Sequence, residues 1–433
     1  MPMKQSIYNT ILDFENGRSI IYNALSDTFV VTLTSHIPQH NIMAITNATL
    51  RTQLESNGMI VEDSLDEVEE VKKQIERIDT DMRNLHIHIN PTLACNFNCW
   101  YCYENHSNTS HMQPDMITAV LKLIKSRIEE FKSESVNLSF FGGEPLLQFK
   151  NVVKPLIEQV DEVCKTRKLP LDLHFTTNSF LLTDEMIRFF SDLSVAFQIT
   201  LDGHRENHDK VRRTNSTGSY DIILNNVKRL LRDKHPVILR INYTTKNFDD
   251  IPAILEDLKD ISLDHRPLLT IDFQQVWQDI SDSQQSEMRR KTEMTIEETK
   301  KQNFQCSAPL HCDIIHNPCY GDRRNHVLIN HDGLLYFCTA RDFTKNNSVG
   351  KLNLDGKIEW RKDAVNSWKN SKFDKIICQQ CRIAPICGGS CRQKSMETKL
   401  LEKCLRGYSD EDIDHVVSKR FYQHIVQSQK QVN

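Results

Sequence analysis

Residues 85–102 read LHIHINPTLACNFNCWYC. Leu85–Asn90 is strand-like, and Cys95, Cys99 and Cys102 follow on the loop that leaves it, at a spacing of C-x3-C-x2-C. From that strand onward the pattern alternates. Val136–Phe141, Leu171–Thr176, Val195–Thr200, Pro236–Thr244 and Leu268–Gln274 read as strands. Met112–Lys132, Leu147–Arg167, Thr183–Leu193, Tyr220–Arg232 and Asp249–Asp260 read as the helices around them. Strand-helix alternation predicts an α/β fold with a parallel sheet, here a partial (β/α)6 barrel. Ligands in such folds sit at the C-terminal ends of the strands, where the cysteine loop falls.

The rest of the chain bounds the problem. It has 433 residues, 39% hydrophobic and 26% charged, with 13 Gly and 13 Pro. That is an ordinary globular composition of about three domains, and it excludes collagen, low complexity and wholesale disorder. A net charge of −4 and a pI near 6.5 offer no general attraction for nucleic acid or anionic membrane. With no long apolar run and no signal-peptide pattern at the start, a cytoplasmic chain is expected. The 13 cysteines are the anomaly. Three lie between 95 and 102, nine between 306 and 404, and Cys164 stands alone. Clustered thiols in a cytosolic chain point to metal or redox chemistry rather than to disulfides. Cys164 shares a helical face with Ile157 and Val160 and reads as a small buried hydrophobe.

Residues 1–84 read as a small α+β unit. Ser6–Phe14 and Ile20–Thr34 form a hairpin about Asn16-Gly17. Asn47–Asn57 is a helix closed by Gly58, and Val61–Arg83 is an amphipathic helix with Val68, Val71, Ile75 and Ile78 on its apolar side. The expected organisation is therefore 1–84, a barrel at 85–277, a polar linker helix at 278–305, and a cysteine-rich domain at 306–433.

Three clustered thiolates without a nearby fourth suit a four-iron cluster with one open iron. A Cys3His zinc site with His106 or His111 is the alternative. The C-x3-C-x2-C run, with an aromatic before its last cysteine, resembles the signature of radical S-adenosylmethionine enzymes. In that family the open iron chelates S-adenosylmethionine, and reduction cleaves the sulfonium to a 5′-deoxyadenosyl radical. Phe141-Gly142-Gly143-Glu144-Pro145 closes the second strand and resembles the family's GGEP motif. The glycines would let backbone approach a ligand, and Glu144 would accept from the methionine ammonium. Asn178 ends the third strand in Thr176-Thr177-Asn178. Thr200-Leu201-Asp202-Gly203, followed by His208-Asp209 and Arg212, is similar to an SLDG…HD..R stretch of peptide-modifying members. That resemblance gives Thr200 and Arg212 to S-adenosylmethionine and Tyr101 to its adenine. The plainer readings are a surface ion pair of Arg212 with Glu206 or Asp209, and core packing for Tyr101. Arg240-Ile241-Asn242, on the fifth strand, reaches toward the same pocket.

The C-terminal spacing is Cys319-x13-Gly333-x4-Cys338, then Cys378-x2-Cys381-x5-Cys387-x3-Cys391, then Cys404. Paired C-x2-C motifs also build zinc ribbons. The whole pattern resembles the seven-cysteine SPASM domain, which binds auxiliary iron–sulfur clusters. The resemblance implies one cluster on Cys312, Cys319, Cys338 and Cys391 and another on Cys378, Cys381, Cys387 and Cys404. With the first site that makes three [4Fe–4S] clusters. Cys306 is left over, as a free thiol or a substitute for Cys312.

SPASM proteins of this superfamily mostly modify peptides or proteins. One expectation is a maturase that abstracts hydrogen from a ribosomally made precursor peptide to install a crosslink or related change. The alternative is an anaerobic sulfatase-maturing enzyme, which forms formylglycine. There an Asp follows the cysteine equivalent to Cys338, whereas Thr339 stands here, in Phe337-Cys338-Thr339-Ala340-Arg341-Asp342. A third class is an iron–sulfur scaffold without radical chemistry. The implied partners are the precursor peptide, its leader captured by residues 1–84, and a reductant such as flavodoxin or ferredoxin. Neither nucleic acid nor membrane is implied. A packing extension is the other reading of residues 1–84.

Overall fold

The computed structural model describes residues 1–213, 218–279, 285–307, 313–398 and 404–432. Two compact units emerge, one of residues 82–309 and 324–362, the other of 1–81, 310–323 and 363–433.

The first of these holds the six expected strands in sequence order: β1 (Asn84–Ile89), β2 (Ser135–Phe140), β3 (Leu171–Thr177), β4 (Ser194–Leu201), β5 (Val237–Tyr243) and β6 (Leu269–Gln275). Each pairs in parallel with the next. One face is apolar. Leu85, Ile87, Leu138, Phe140, Phe175, Phe197, Ile199 and Leu239 are almost fully buried there. Phe140, Phe175 and Phe197 stack across β2, β3 and β4 at 4.8 and 5.5 Å, with Phe190 edge-on from its helix. Such offset aromatic contacts add to the area they bury. The other face carries the alternate residues, most of them polar, with Ala196 and Ile238 the apolar exceptions on β4 and β5.

Connecting helices run at Pro114–Phe131, Lys154–Arg167, Asp184–Phe190, Tyr220–Arg232 and Ile251–Asp257. The stretch expected to be helical from Leu147 opens instead with a 3-10 turn and a π turn at Phe149–Val153. Pro155 has no N–H for a carbonyl one turn back, and its ring crowds that carbonyl, so regular helix starts only at Lys154. Cys164 is buried on this helix, as expected.

The sheet does not stop at six strands. β7 (Gln305–Cys306) adds to β6 in parallel, after a helix at Gln285–Lys301 that falls inside the expected linker. β8 (His326–Ile329) adds in parallel beside β1. β9 (Leu334–Tyr336), β10 (Gly350–Leu352) and β11 (Ile358–Trp360) then continue antiparallel, giving eleven strands. Residues 324–362, read from sequence as part of the cysteine-rich tail, extend the barrel sheet. Their strands are three or four residues long, too short to show a period.

The second unit corrects the hairpin. Strands at Asn9–Asp13, Arg18–Asn23 and Thr28–Leu33 form a three-stranded antiparallel sheet, and Met3–Gln5 pairs with Ile60–Glu62 in a separate ribbon. The run Ile20–Thr34 is two strands, turned at 24–27 with Asp27 at a φ of 53°. Asn23 makes that turn, its carboxamide oxygen accepting from the amides of Leu25 and Ser26. Both faces of the sheet are covered. Ile21 and Val30 pack on Ile42, Leu50, Leu54 and Met59. Ile20 and Tyr22 share a core with Val71, Ile75, Phe373, Ile383, Ile386 and Val417. The helix Glu67–Asp79 ends in a buried ionic network. Lys372 meets Asp79 at 3.2 Å and Asp322 at 2.7 Å, and Arg392 meets the same two carboxylates at 2.5 and 2.9 Å. Front and tail of the chain thus form one core. Among the described residues no helix is long and apolar enough to cross a membrane.

Candidate active site

The loop after β1 brings Cys95, Cys99 and Cys102 to the C-terminal end of the sheet, all half-buried. The three are close enough to feel one another's charge. Burial pushes the Cys95 thiol up to about 12 and Cys102 to about 11, because a lone thiolate there is poorly solvated. Burial also raises Cys99, against which the Arg212 guanidinium works. The donor set therefore fits a positively charged metal centre, which would supply the missing compensation. Among the described residues, no three His, Cys, Asp or Glu side chains are already drawn up as a mononuclear metal site. His111 has both ring nitrogens engaged, by the Thr109 carbonyl and Gln113. His106 is tied to the Leu93 carbonyl.

The Gly142-Gly143-Glu144 turn lies against this loop. Both glycines have positive φ, 78° and 48°. A Cβ would stand 2.6 Å from Asn90 Cγ at Gly142 and 2.1 Å from the Ala94 carbonyl oxygen at Gly143. The glycines permit a close approach of this turn to the cysteine loop. Glu144 N donates to the same Ala94 carbonyl at 2.8 Å. The Glu144 carboxylate is fully buried and already accepts from Thr177 Oγ1, Leu146 N and Asn178 N at 2.7, 3.0 and 2.8 Å. A carboxylate has about four acceptor positions, so about one is left for a ligand. Asn178 Nδ2 donates to Asn96 Oδ1 at 2.8 Å and reaches within 4.0 Å of Cys95 Sγ.

At the ends of β4 and β5 a second cluster forms. Tyr101 OH is shared between the Asp202 oxygens at 2.7 and 2.9 Å and accepts from Arg212 Nη2 at 2.7 Å and Asn242 Nδ2 at 3.0 Å. Arg212 Nε also pairs with Asp202. The Arg212 side chain is 12% exposed and Asp202 3%. Arg212 is therefore no surface ion pair. Glu206 takes Lys210 instead, and Asp209 caps the next helix through Ser219 N and Tyr220 N. Tyr101 is more than packing, since its hydroxyl is the hub. Thr200 is buried on β4 beside Arg240 of β5.

The radical SAM superfamily profile matches residues 89–258, which run from the end of β1 past β5 and take in both clusters. Residues 89–258 are a radical SAM domain.

Curated relatives agree with that assignment. The radical SAM cyclopropyl synthase TigE of Paramaledivibacter caminithermalis is 26% identical over 190 residues, 40% of this chain and 38% of that protein. A cysteine-type anaerobic sulfatase-maturating enzyme of Clostridium novyi is 28% identical over 176 residues, 39% and 47%. The chain spans less than half the length of these two relatives. The solved structure of native anSMEcpe with bound AdoMet and Cp18Cys peptide covers 81% of this chain and all of its own at a TM-score of 0.61 and 13% identity. Streptococcus suis SuiB bound to precursor peptide SuiA covers 92% of this chain and 98% of its own at 0.54 and 14%. At such identities the two structures speak for the fold.

Outside the radical SAM domain, Cys378, Cys381, Cys387 and Cys404 fall within electrostatic reach of one another. Burial lifts Cys378 to about 12 and Cys381 to about 11, because a lone thiolate there is poorly solvated. Cys378, Cys381 and Cys387 also back onto the Ile383–Ile386 core. Cys319 and Cys391 are exposed on that unit, Cys338 belongs to the other, and Cys312 lies outside the described residues. Cys306 sits on β7, its thiol near the Ile296 carbonyl.

Sequence reading undervalued three members of the site. Asp202 was legible only as part of a motif, although a carboxylate ten residues before a buried arginine is its natural partner. Asn242 received little weight and holds Tyr101. Glu104 was missed. Its Oε2 accepts from Gly143 N at 2.9 Å, and burial raises it to about 7. A carboxylate two residues past the last cysteine was the only signal.

Proposed function

We propose that the chain is a radical SAM peptide maturase of the SPASM type, acting on a ribosomally made precursor peptide to install a crosslink or related modification. One observation carries this most: the three-cysteine loop, the Glu144 turn and the Tyr101–Asp202–Arg212–Asn242 cluster gather at one end of one sheet. When bound, a [4Fe–4S] cluster and S-adenosylmethionine supply a 5′-deoxyadenosyl radical. The chain's own residues bind and orient. Cys95, Cys99 and Cys102 hold the cluster. Glu144 offers its remaining acceptor position to the cofactor's ammonium, helped by Gly142, Gly143 and Asn178, which shape the turn. Arg212 and Thr200 face the cofactor carboxylate and ribose end, and Tyr101 its adenine. Cys378, Cys381, Cys387 and Cys404 hold one auxiliary cluster, and Cys312, Cys319, Cys338 and Cys391 another. A flavodoxin or ferredoxin delivers the electron.

Leader capture is assigned to the three-stranded sheet of residues 9–33. Its Thr28–Leu33 edge carries Val31 and Leu33, each 48% exposed, and an extended peptide can join such an edge through main-chain hydrogen bonds. Residues 1–84 also supply Tyr8, Ile20, Tyr22, Val71 and Ile75 to a core shared with the tail, so the packing role holds as well.

Sulfatase maturation is the second reading, supported by the Clostridium novyi relative. Against it, Thr339 follows Cys338, and the next carboxylate along the chain, Asp342, accepts from Asn105 N at 3.0 Å and from Phe343 N at 2.9 Å. The test is anaerobic reconstitution, dithionite reduction and assay of 5′-deoxyadenosine. No product would refute radical chemistry. Product together with formylglycine on a sulfatase-derived peptide would install the second reading. A photo-crosslinker in place of Val31 should capture a labelled leader, whereas one in place of Leu263, on the barrel unit, should not.

A further inference from the structure

The accessible face of the barrel sheet holds a cation whose fork is unused. On β4, β5 and β6 the residues that alternate with the buried Ile199, Leu239, Ile241, Ile271 and Phe273 are Gln198, Thr200, Arg240, Asn242, Asp272 and Gln274. Arg240 lies between Thr200 and Asp272 in register. Its Nε donates to Asn242 Oδ1 at 3.1 Å, and Asn242 passes the chain of bonds on to Tyr101 OH. Among the described residues, nothing is hydrogen-bonded to its Nη1 or Nη2, and no carboxylate is within ion-pair distance. Three other half-buried arginines of this unit are committed to hydrogen bonds. Arg229 is bound to Leu182 O, Asn226 and Asp184, Arg266 to Gln302 O and Lys259 O, and Arg212 to Asp202 and Tyr101. Nor does the neighbouring Asp272 neutralise Arg240 by contact. Its two oxygens are taken by Gln274 Nε2, each at 3.0 Å, and one of them by Ser307 Oγ as well.

A half-buried guanidinium, anchored at Nε with both Nη groups open, is a preorganised receptor for a carboxylate. Two carboxylates are candidates, that of S-adenosylmethionine and one on the substrate. Arg212 is the cation whose charge reaches Cys99 and Glu144, where the cofactor would sit. Arg240 is separated from it by Asn242. We infer that Arg240 binds a side-chain carboxylate of the substrate, an Asp or Glu, and so sets which residue reaches the radical. This rests on the peptide-maturase reading and names a feature of its substrate.

The test uses the reconstituted full chain under anaerobic conditions, with acetyl-Ala-Glu-Ala-amide and acetyl-Ala-Gln-Ala-amide as probes. The wild type should prefer the Glu peptide by about tenfold or more, as expected for a charge-assisted hydrogen bond. Arg240→Gln should abolish that preference, and Arg240→Lys, which keeps the charge but loses the fork, should retain part of it. The same variants are titrated with S-adenosylmethionine and its decarboxylated analogue. If Arg240→Gln collapses the ratio of those two affinities, Arg240 belongs to the cofactor and the inference falls. It falls equally if the wild type shows no Glu preference or if the preference survives in Arg240→Gln. Failure to form 5′-deoxyadenosine would strike the function proposed above, and the binding ratios are read independently of it.

Discussion

Arg212→Ala should do two separable kinds of damage. The side chain is 12% exposed and its partner Asp202 3%, so its removal strands a buried carboxylate. Losing one partner of a buried pair costs about 3–5 kcal/mol. Tyr101 OH still donates to Asp202, so the lower end of that range is expected. Arg213 is exposed, and Arg213→Ala should stay within about 0.5 kcal/mol of wild type. Combining Arg212→Ala with Asp202→Asn removes the stranded charge and should recover most of the loss in urea denaturation. It should not recover binding of S-adenosylmethionine in calorimetry, because the cation proposed to meet the cofactor is still missing. A loss below about 1 kcal/mol in Arg212→Ala would refute the claim of a buried pair. Restored cofactor binding in the double variant would show that Arg212 only holds the loop.

Reconstituted wild type should carry about 12 iron per chain, and the triple Cys95, Cys99 and Cys102 alanine variant about 8, read by iron analysis with zinc measured alongside. Zinc in place of iron at the C-terminal cysteines would remove the auxiliary clusters. Arg392→Met should destabilise the second unit by about 3–5 kcal/mol, since Asp79 and Asp322 then share only Lys372, and Asp79→Asn in the same chain should relieve it. Burial lowers His88 to about 3 and depresses its partner His326, at 2.9 Å, well below the ordinary range. The unfolded chain protonates them near 6.5 and the folded chain does not, so stability is held above about pH 6.5 and lost as pH falls toward 3. His88→Gln should flatten that slope by up to about 1.4 kcal/mol per pH unit between pH 6.5 and 4, and an unchanged urea midpoint profile would count against the buried pair.

Much of the barrel was legible because its signals are local. Each strand from β1 to β6 is six to eight residues long and bounded by helix, so period and length agree. The cysteine spacing and the Gly142-Gly143-Glu144 turn carry their chemistry in neighbouring positions. What escaped was non-local. Nothing in His326–Ile329 announces that it will pair with β1, some 240 residues earlier by chain count. The turn at 24–27 hides inside a β-branched run because Asn23, rather than glycine, makes it with its side chain. The unused fork of Arg240 is visible only once its neighbours are seen to be spoken for.

The core that joins Tyr8, Ile20, Tyr22 and Val71 to Phe373, Ile383, Ile386 and Val417 also orders events on the ribosome. When residues 1–81 emerge, the Phe373, Ile383, Ile386 and Val417 side of that core has not been translated. At about 5–20 residues per second, the wait for Val417 lasts on the order of tens of seconds. The barrel strands β1 to β6, contiguous in the chain, can pair within that interval, while the front sheet leaves its Ile20 and Tyr22 face uncovered. A message truncated before codon 373 would therefore release a finished barrel carrying a sticky front end. Premature stops in this gene should give aggregates that begin with residues 1–81.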